Sequence, residues 1–187
     1  MIFRRSFLTL ALTALFVLVA GPSFANAQNQ DSAAISKLLH EARTYAVQAD
    51  SDSAELESFT NSKLTWQTHA HQIEIIRDHI NNLGRVVKEM QDIKGQGSPW
   101  QQDAIDRIDP LLRLMADQLT STIEYGNKYP NRIHMMQYRN YVRSGAELAA
   151  QTSRLISDIV SYDRAESRAH MLEQKLELPP SGSGASQ

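Results

Sequence analysis

The sequence contains no cysteine. This absence excludes disulfides, thiolate metal sites, a lipid-anchored N-terminal cysteine and covalently attached c-type haem. Common catalytic motifs are absent as well: there is no His-Glu-x-x-His, no Gly-x-Ser-x-Gly and no phosphate-binding Gly-rich loop. No Glu is followed three residues later by His, the spacing that di-metal carboxylate bundles need. We therefore expect no enzymatic activity and predict no cofactor.

An excess of basic charge is also missing. The chain has 19 Lys and Arg against 21 Asp and Glu, for a formal net charge of −2. Nucleic-acid binding depends on a concentrated basic surface that neutralises phosphates. The composition therefore argues against nucleic acid as a partner.

The sequence has one long apolar run, and it lies near the N-terminus. Arg4 and Arg5 precede it, the run extends over residues 7–20, and Ala25-Asn26-Ala27 follows. A basic region, a short apolar region and a small-x-small site form the pattern of a secretory signal peptide, cleaved after Ala27. An uncleaved anchor is the alternative, but the run is shorter than the roughly 20 residues that a spanning helix needs. We expect no stable membrane anchor after cleavage.

Export would place the mature protein in the periplasm or outside the cell. The paired arginines resemble a twin-arginine signal, whereas the strongly apolar run favours the general secretory route. Removal of residues 1–27 leaves 160 of the 187 residues and changes the net charge from −2 to −4, since the signal contains two Arg and no acid. We expect a single domain over residues 28–178 and a flexible tail over residues 179–187.

The mature sequence predicts four amphipathic helices, A to D, because apolar residues recur three or four positions apart. Helix A begins with Asp31 as its N-cap and ends near Asp50, where Asp50-Ser51-Asp52-Ser53 indicates a turn or bend. Helix B ends before Gly95 and could reach about 40 residues, or roughly 60 Å. Its apolar seam consists of Phe59, Ser62, Trp66, His69, Ile73, Ile76, Ile80, Leu83, Val87 and Met90.

Helices C and D have clearer start and stop signals. Ser98-Pro99-Trp100-Gln101 predicts a capping box at the start of helix C, and Pro110 predicts a kink within it. Helix D begins between residues 132 and 135, and Pro179-Pro180 ends it. The predicted seams are Ile105, Ile108, Leu112, Met115, Leu119, Thr122 and Gly126 in helix C, and Tyr138, Tyr141, Gly145, Leu148, Thr152, Leu155, Ile159 and Tyr162 in helix D.

These helices predict an all-α fold, an antiparallel helical bundle with coiled-coil-like seams. A four-helix bundle is the simplest arrangement that buries every seam. Three long helices with a shorter N-terminal helix are the alternative, because helix A has only about 20 residues. Two further alternatives are that helices A and B form one broken helix and that unmatched helix ends pair with a second copy.

Several histidines and methionines are weak candidates for binding metal or haem. His69 occupies a seam position, where it is either a ligand or a buried neutral histidine bonded to Thr122 or Thr152. His134-Met135-Met136 combines ligands that suit cuprous copper, although methionines more often fill gaps in cores. His40 and His170 are the candidate axial pair for a noncovalent haem.

Tyrosine and arginine concentrate around the connection between helices C and D. Both residue types are favoured at protein interfaces, which makes this end a candidate recognition surface. The alternative is a polar bundle end whose tyrosines keep their hydroxyls solvated. The interface candidates are Tyr129, Arg132, Tyr138, Arg139 and Tyr141.

The leading functional interpretation is a non-enzymatic exported bundle that acts by contact with an envelope protein or by self-association. A metal- or haem-binding bundle is the second interpretation. The absence of catalytic motifs and the long seams support the first, and the histidines and methionines support the second.

Overall fold

The computed structural model describes residues 31–176, so the predicted signal peptide and C-terminal tail lie outside it. The described residues form four α-helices: α1 (Ala33–Phe59), α2 (Trp66–Asp92), α3 (Pro99–Lys128) and α4 (Met136–Leu176). Short 3-10 turns, Lys94–Gln96 and Pro130–Arg132, precede α3 and α4. This confirms the prediction of an all-α fold.

Consecutive helices pack against each other, and α1 also packs against α4. Contacts between these two helices show that they are antiparallel: Ser36 near the start of α1 contacts Asp163 on α4, and Glu57 near the end of α1 contacts Arg143. Short connections between long amphipathic helices produce this up-down-up-down order, because each apolar face is then buried by its neighbours. The four-helix alternative is therefore correct.

The prediction of a turn after Asp50 was wrong. Helix α1 continues through residues 50–53 to Phe59, for a length of 27 residues. The middle of its buried face consists of small residues, Ala42, Ala46 and Ala49, and Ser53 follows at the same helical spacing, with Leu56 next. A polar run ends a helix only if the buried stripe stops there, and here a small serine continues that stripe. The cap is also different: Ser32, not Asp31, occupies the N-cap position.

The turn between the first two helices lies about ten residues later than predicted. Residues 60–65 form this connection, within the segment predicted to be the start of helix B. Thr65 is the N-cap of α2, and its side-chain oxygen accepts a hydrogen bond from the Thr68 amide at 3.4 Å. Helix α2 consequently has 27 residues, the same length as α1. The predicted difference in length between helices A and B was wrong.

Helix α3 agrees closely with the prediction. Ser98 is its N-cap, Pro99 is its first residue, and the Ser98 amide donates to Gln101 Oε1 at 3.2 Å, as a capping box requires. The helix continues without interruption through Pro110, which is exposed to solvent. The kink there stays a prediction.

The buried face of α4 is displaced from the predicted seam. Tyr138, Thr152 and Ile159 are buried as predicted, but Tyr162 is 49% exposed. Helix α4 packs against both α1 and α3, so its buried face is wider than a two-helix seam and centred on other residues. The remaining buried positions are Val142, Ala146, Ala149, Ser153, Ile156, Val160 and Asp163.

Helix α4 extends past the rest of the bundle. It has 41 residues, whereas the next longest helix, α3, has 30. Asp163 is its last buried residue, and within residues 164–176 none is buried. The described helices include none that is both long enough and apolar enough to span a membrane.

Candidate functional site

One end of the bundle holds most of its aromatic side chains, and we call it the aromatic end. The α1–α2 connection (residues 60–65) and the α3–α4 connection (residues 129–135) meet there because neighbouring helices are antiparallel. Successive ring centroids lie 5.2–6.3 Å apart, mostly in tilted or edge-to-face arrangements. The rings belong to Phe59, Trp66, His69, Tyr125, Tyr129, Tyr138 and Tyr141.

Trp66 can join this cluster only because residue 126 is glycine. A Cβ atom added to Gly126 would lie 2.0 Å from Cη2 of the Trp66 ring, far inside van der Waals contact. The glycine on α3 therefore makes room for the first residue of α2. This close approach helps to close the aromatic end.

His69 and Tyr138 form the buried polar pair inside the cluster. Their exposed fractions are 1% and 0%, and His69 Nδ1 lies 3.0 Å from the Tyr138 hydroxyl. His69 is thus buried and hydrogen-bonded. The expected partners were wrong: Thr122 and Thr152 instead donate to backbone carbonyls of their own helices.

The protonation state of this pair follows from burial. Burial lowers the pKa of His69 from its ordinary value of 6.5 and raises the pKa of Tyr138, so both side chains are neutral near pH 7. The Tyr138 hydroxyl makes no hydrogen bond to any other described residue, so its proton has an acceptor there only if Nδ1 of His69 accepts it. The proton of the neutral imidazole is then on Nε2.

His69 lines a cavity at the bundle surface. Within residues 31–176, Nδ1 of His79 is the only fully buried side-chain polar atom without a hydrogen-bond partner. Nε2 of His69 also lacks a partner, so it must be accessible to solvent at the cavity. The cavity has a volume of about 210 Å³ and is lined by Phe59, Thr60, Ser62, Lys63, Leu64, His69, Ile133 and His134.

The aromatic end is cationic in a chain of net negative charge. Residues 125–146 contain four Lys and Arg and no Asp or Glu. Of these, Arg143 pairs with Glu57 at 3.4 Å, while Lys128 and Arg132 lie over the Tyr129 ring at 5.3 and 5.2 Å. Lys63, Lys128, Arg132 and Arg139 form no ion pair with any residue that the structure describes. Attraction for an anionic group is the consequence.

The candidate metal and haem ligands are only partly brought together. His69 and His134 line one cavity, whereas Met135 and Met136 are exposed, at 49% and 76%. Over residues 31–176, no three His, Asp or Glu side chains are grouped as they would be to hold a metal ion.

The candidate haem pair does not form. His40 contacts Asp163 at 3.6 Å, whereas His170 contacts Glu173 at 3.3 Å. His170 lies seven residues beyond Asp163, or roughly 10 Å along α4. The two histidines are therefore not facing ligands.

The interface candidates divide by burial. Tyr138 is fully buried and hydrogen-bonded, so its inclusion in an exposed recognition surface was wrong. Tyr129 and Tyr141 are half-buried, and Arg132 and Arg139 are exposed. Four of the five candidates thus remain available to a partner at the aromatic end.

The opposite end of the bundle, which we call the polar end, carries a hydrogen-bond network that the sequence did not reveal. Fully buried Gln101 accepts from the Ser32 amide at 2.8 Å and donates to Ser36 Oγ at 3.2 Å. Ser36 Oγ in turn donates to Asp163 Oδ1 at 2.6 Å. His40 contacts the other oxygen of Asp163, so the aspartate lies between Ser36 and the histidine. In a catalytic triad the histidine is central, so this is a structural network.

No protein-family model matches the chain, and no curated protein or solved structure is significantly similar to it. Inference about function therefore rests on the geometry and charge of the bundle. The aromatic end has both a cavity lined by a histidine nitrogen without a partner among the described residues and cations without an ion pair. It is the stronger candidate site.

Proposed function

We propose that this chain is an exported, non-enzymatic helical-bundle protein that binds an acidic surface of another envelope protein through its aromatic end. The observation that carries this proposal is the set of cations without acidic partners at that end: Lys63, Lys128, Arg132 and Arg139. Like charges held close together without counterions favour an acidic partner.

The composition of the exposed surface agrees with this role. Tyr, Arg and Met are enriched at protein interfaces, and Met135, Met136, Tyr129 and Arg132 are neighbours here. The cation–π contacts to Tyr129 restrain the heads of Lys128 and Arg132 and thereby reduce the entropy that a partner must remove. Several residues at this end are therefore available for binding without rearrangement of the core.

The export part of the proposal rests on the pattern of residues 1–27. It predicts that the protein recovered from the periplasm begins at Gln28, which N-terminal sequencing or intact mass would measure. A protein that keeps residues 1–27 and fractionates with membranes would contradict cleavage and support an uncleaved anchor.

Site-specific photo-crosslinking tests the contact. A crosslinker at Gln137, exposed at the aromatic end, should capture an acidic envelope protein in the cell of origin. Gln151 is exposed on the same helix but lies in its middle, and it provides the matched control. Capture should be lost on Arg132→Glu with Arg139→Glu, and kept on Arg154→Glu with Arg164→Glu.

Two outcomes would overturn the proposed contact. Equal capture from Gln137 and Gln151 would show that the aromatic end is not the binding surface. A crosslink from Gln137 only to a second copy of the chain would replace the heteromeric partner with self-association.

Metal binding is a second candidate, because His69 and His134 line the same cavity. Elemental analysis and an ultraviolet–visible spectrum of untagged residues 28–187 from the periplasm would test it. Stoichiometric metal that is lost on His69→Phe, or a Soret band, would establish a cofactor protein in place of the first candidate.

A further inference from the structure

The cavity at the aromatic end combines a directed hydrogen-bond donor with a cation and apolar walls. The donor is Nε2 of His69, a residue that is only 1% exposed. Its ring orientation is fixed on one side by the Tyr138 hydroxyl and on another by the Phe59 ring, at a centroid distance of 5.7 Å. A buried side chain held on two sides is preorganised for whatever occupies the cavity.

The direction of the Tyr138 proton determines which chemistry suits Nε2. If Tyr138 donates to Nδ1, then Nε2 carries a hydrogen and needs an acceptor. A metal ion would instead require the lone pair of Nε2, which moves the imidazole proton to Nδ1. The Tyr138 hydroxyl would then have to accept, and its own proton would have no acceptor among the residues that the structure describes. An unsatisfied buried donor costs about 1–3 kcal/mol, so the pair favours an acceptor ligand over a metal.

The charge around the cavity selects among acceptors. Lys63 and His134 line it, and no Asp or Glu does. Phe59, Leu64 and Ile133 supply apolar surface for the remainder of a ligand. Small-molecule sites typically have such apolar walls and a few directed polar groups.

We propose that this cavity binds a carboxylate group, which accepts a hydrogen bond from Nε2–H of His69 and is attracted by the ammonium group of Lys63. The carboxylate belongs either to a small organic acid or to an acidic side chain of a bound protein. This site extends beyond the proposed protein contact, because a free acid would bind here even if no protein partner exists.

Nuclear magnetic resonance of the histidine side chains tests the site in the mature protein, residues 28–187. Long-range ¹H–¹⁵N spectra should show His69 as the Nε2–H tautomer near pH 7. Addition of benzoate should shift the Nε2 resonance saturably, and benzamide, which has the same ring without the charge, should bind more weakly. Loss of the donor in His69→Phe should weaken benzoate binding by about ten-fold, with folding checked by thermal unfolding.

Substitution of an exposed lysine gives a test that does not depend on core packing. Lys63→Gln should weaken benzoate binding by about two- to five-fold, the range of a solvent-exposed ion pair. Lys37→Gln removes another exposed lysine, near the start of α1, and should leave the affinity unchanged.

A blocked peptide, acetyl-Gly-Glu-Gly-amide, distinguishes the two sources of the carboxylate. Saturable shifts of Nε2 by this peptide support an acidic side chain of a protein, whereas shifts by benzoate alone support a free acid. An Nδ1–H tautomer, or no shift of Nε2 with either probe, would overturn the carboxylate site. Crosslinking from Gln137 measures the protein contact separately, so the failure of either proposal is recognisable without the other.

Discussion

The two ends of the bundle differ in how completely their buried polar groups are hydrogen-bonded. At the polar end, Gln101, Ser36 and Asp163 are all buried or half-buried, and each is hydrogen-bonded to a residue on another helix. At the aromatic end, rings fill most of the interior, and the buried His69 has a hydrogen bond on one nitrogen only. Buried polar groups that are fully satisfied fix a structure, whereas an unsatisfied donor beside a cavity is available to a ligand.

The placement of acidic residues also differs between the two ends. Lys94 and His40 at the polar end pair with Asp106 and Asp163, respectively. The segment from residue 125 to residue 146, which contains the α3–α4 connection, has four Lys and Arg and no Asp or Glu. The comparison teaches that the polar end holds the helices together, while the aromatic end keeps interactions available for binding.

Both ends depend on the core between them, so a substitution that disrupts this core should cause the largest loss of stability. Ile80 is 6% exposed near the middle of α2. Ile80→Asp should destabilise the protein by about 4 kcal/mol or more, because it buries an unpaired charge. Circular dichroism during urea unfolding measures this loss. Asn81→Asp, one residue away and exposed, is the control, and an equal stability for the two variants would refute the assigned burial of Ile80.

The polar end should prove the more sensitive to loss of a single polar group. Gln101→Leu keeps the approximate size of the side chain but leaves the Ser32 and Ser98 amides and the Ser36 hydroxyl without this partner. We expect a loss of about 3 kcal/mol in unfolding free energy, since several buried groups lose hydrogen bonds together. Gln151→Leu, on an exposed position of α4, should change stability little. Equal effects of the two substitutions would mean that the network contributes no stability.

The sequence predicted the helices more reliably than it predicted their ends. Apolar spacing identified α2 and α3 because large residues such as Ile73 and Ile105 mark a buried face directly. The same method failed at residues 50–53, where the buried face of α1 continues through Ser53, a residue that is polar by type but small enough for the interior. Thr65 was the available signal for the real turn, but nothing in the spacing distinguishes a capping threonine from one within a helix.

The sequence predicted only part of the candidate site, because it shows individual residues but not their contacts between helices. His69 stood out because a histidine on an apolar seam is unusual, and Tyr129 and Arg132 stood out by composition. Sequence spacing within one helix cannot show which residue of another helix faces His69. Tyr138 was therefore predicted both on the seam of helix D and among the interface candidates, and it was not matched with His69. Asp163 and Gln101 were missed as a network because their partners lie on other helices, far away in sequence.

Closure of the aromatic end is tested by filling the space over Gly126. Gly126→Ala places a Cβ atom 2.0 Å from the Trp66 ring, which must then move. We expect a loss of about 2 kcal/mol, typical of an overpacked core. Gly84→Ala is the matched control, because its Cβ would lie 3.9 Å from Leu112, and a helical Gly→Ala change there should stabilise by about 0.5–1 kcal/mol. Thermal unfolding followed by Trp fluorescence measures the stability of both variants. If Gly126→Ala stabilised the protein as much as Gly84→Ala, the Trp66 ring would not be held against residue 126.

The protonation of His69 should produce the smallest effect, and it is specific to the aromatic end. Its pKa in the folded protein is lowered by burial from 6.5, so below that pH the unfolded chain binds more protons than the folded one. The stability associated with His69 is complete above pH 6.5 and is lost as the pH falls from 6.5 toward the folded pKa. As the pH is lowered below 6.5, the melting temperature of His69→Phe should therefore decrease less steeply than that of the unsubstituted protein. His71→Gln, two residues away and exposed, should retain the full slope, and parallel curves for all three proteins would show that His69 stays solvated when folded.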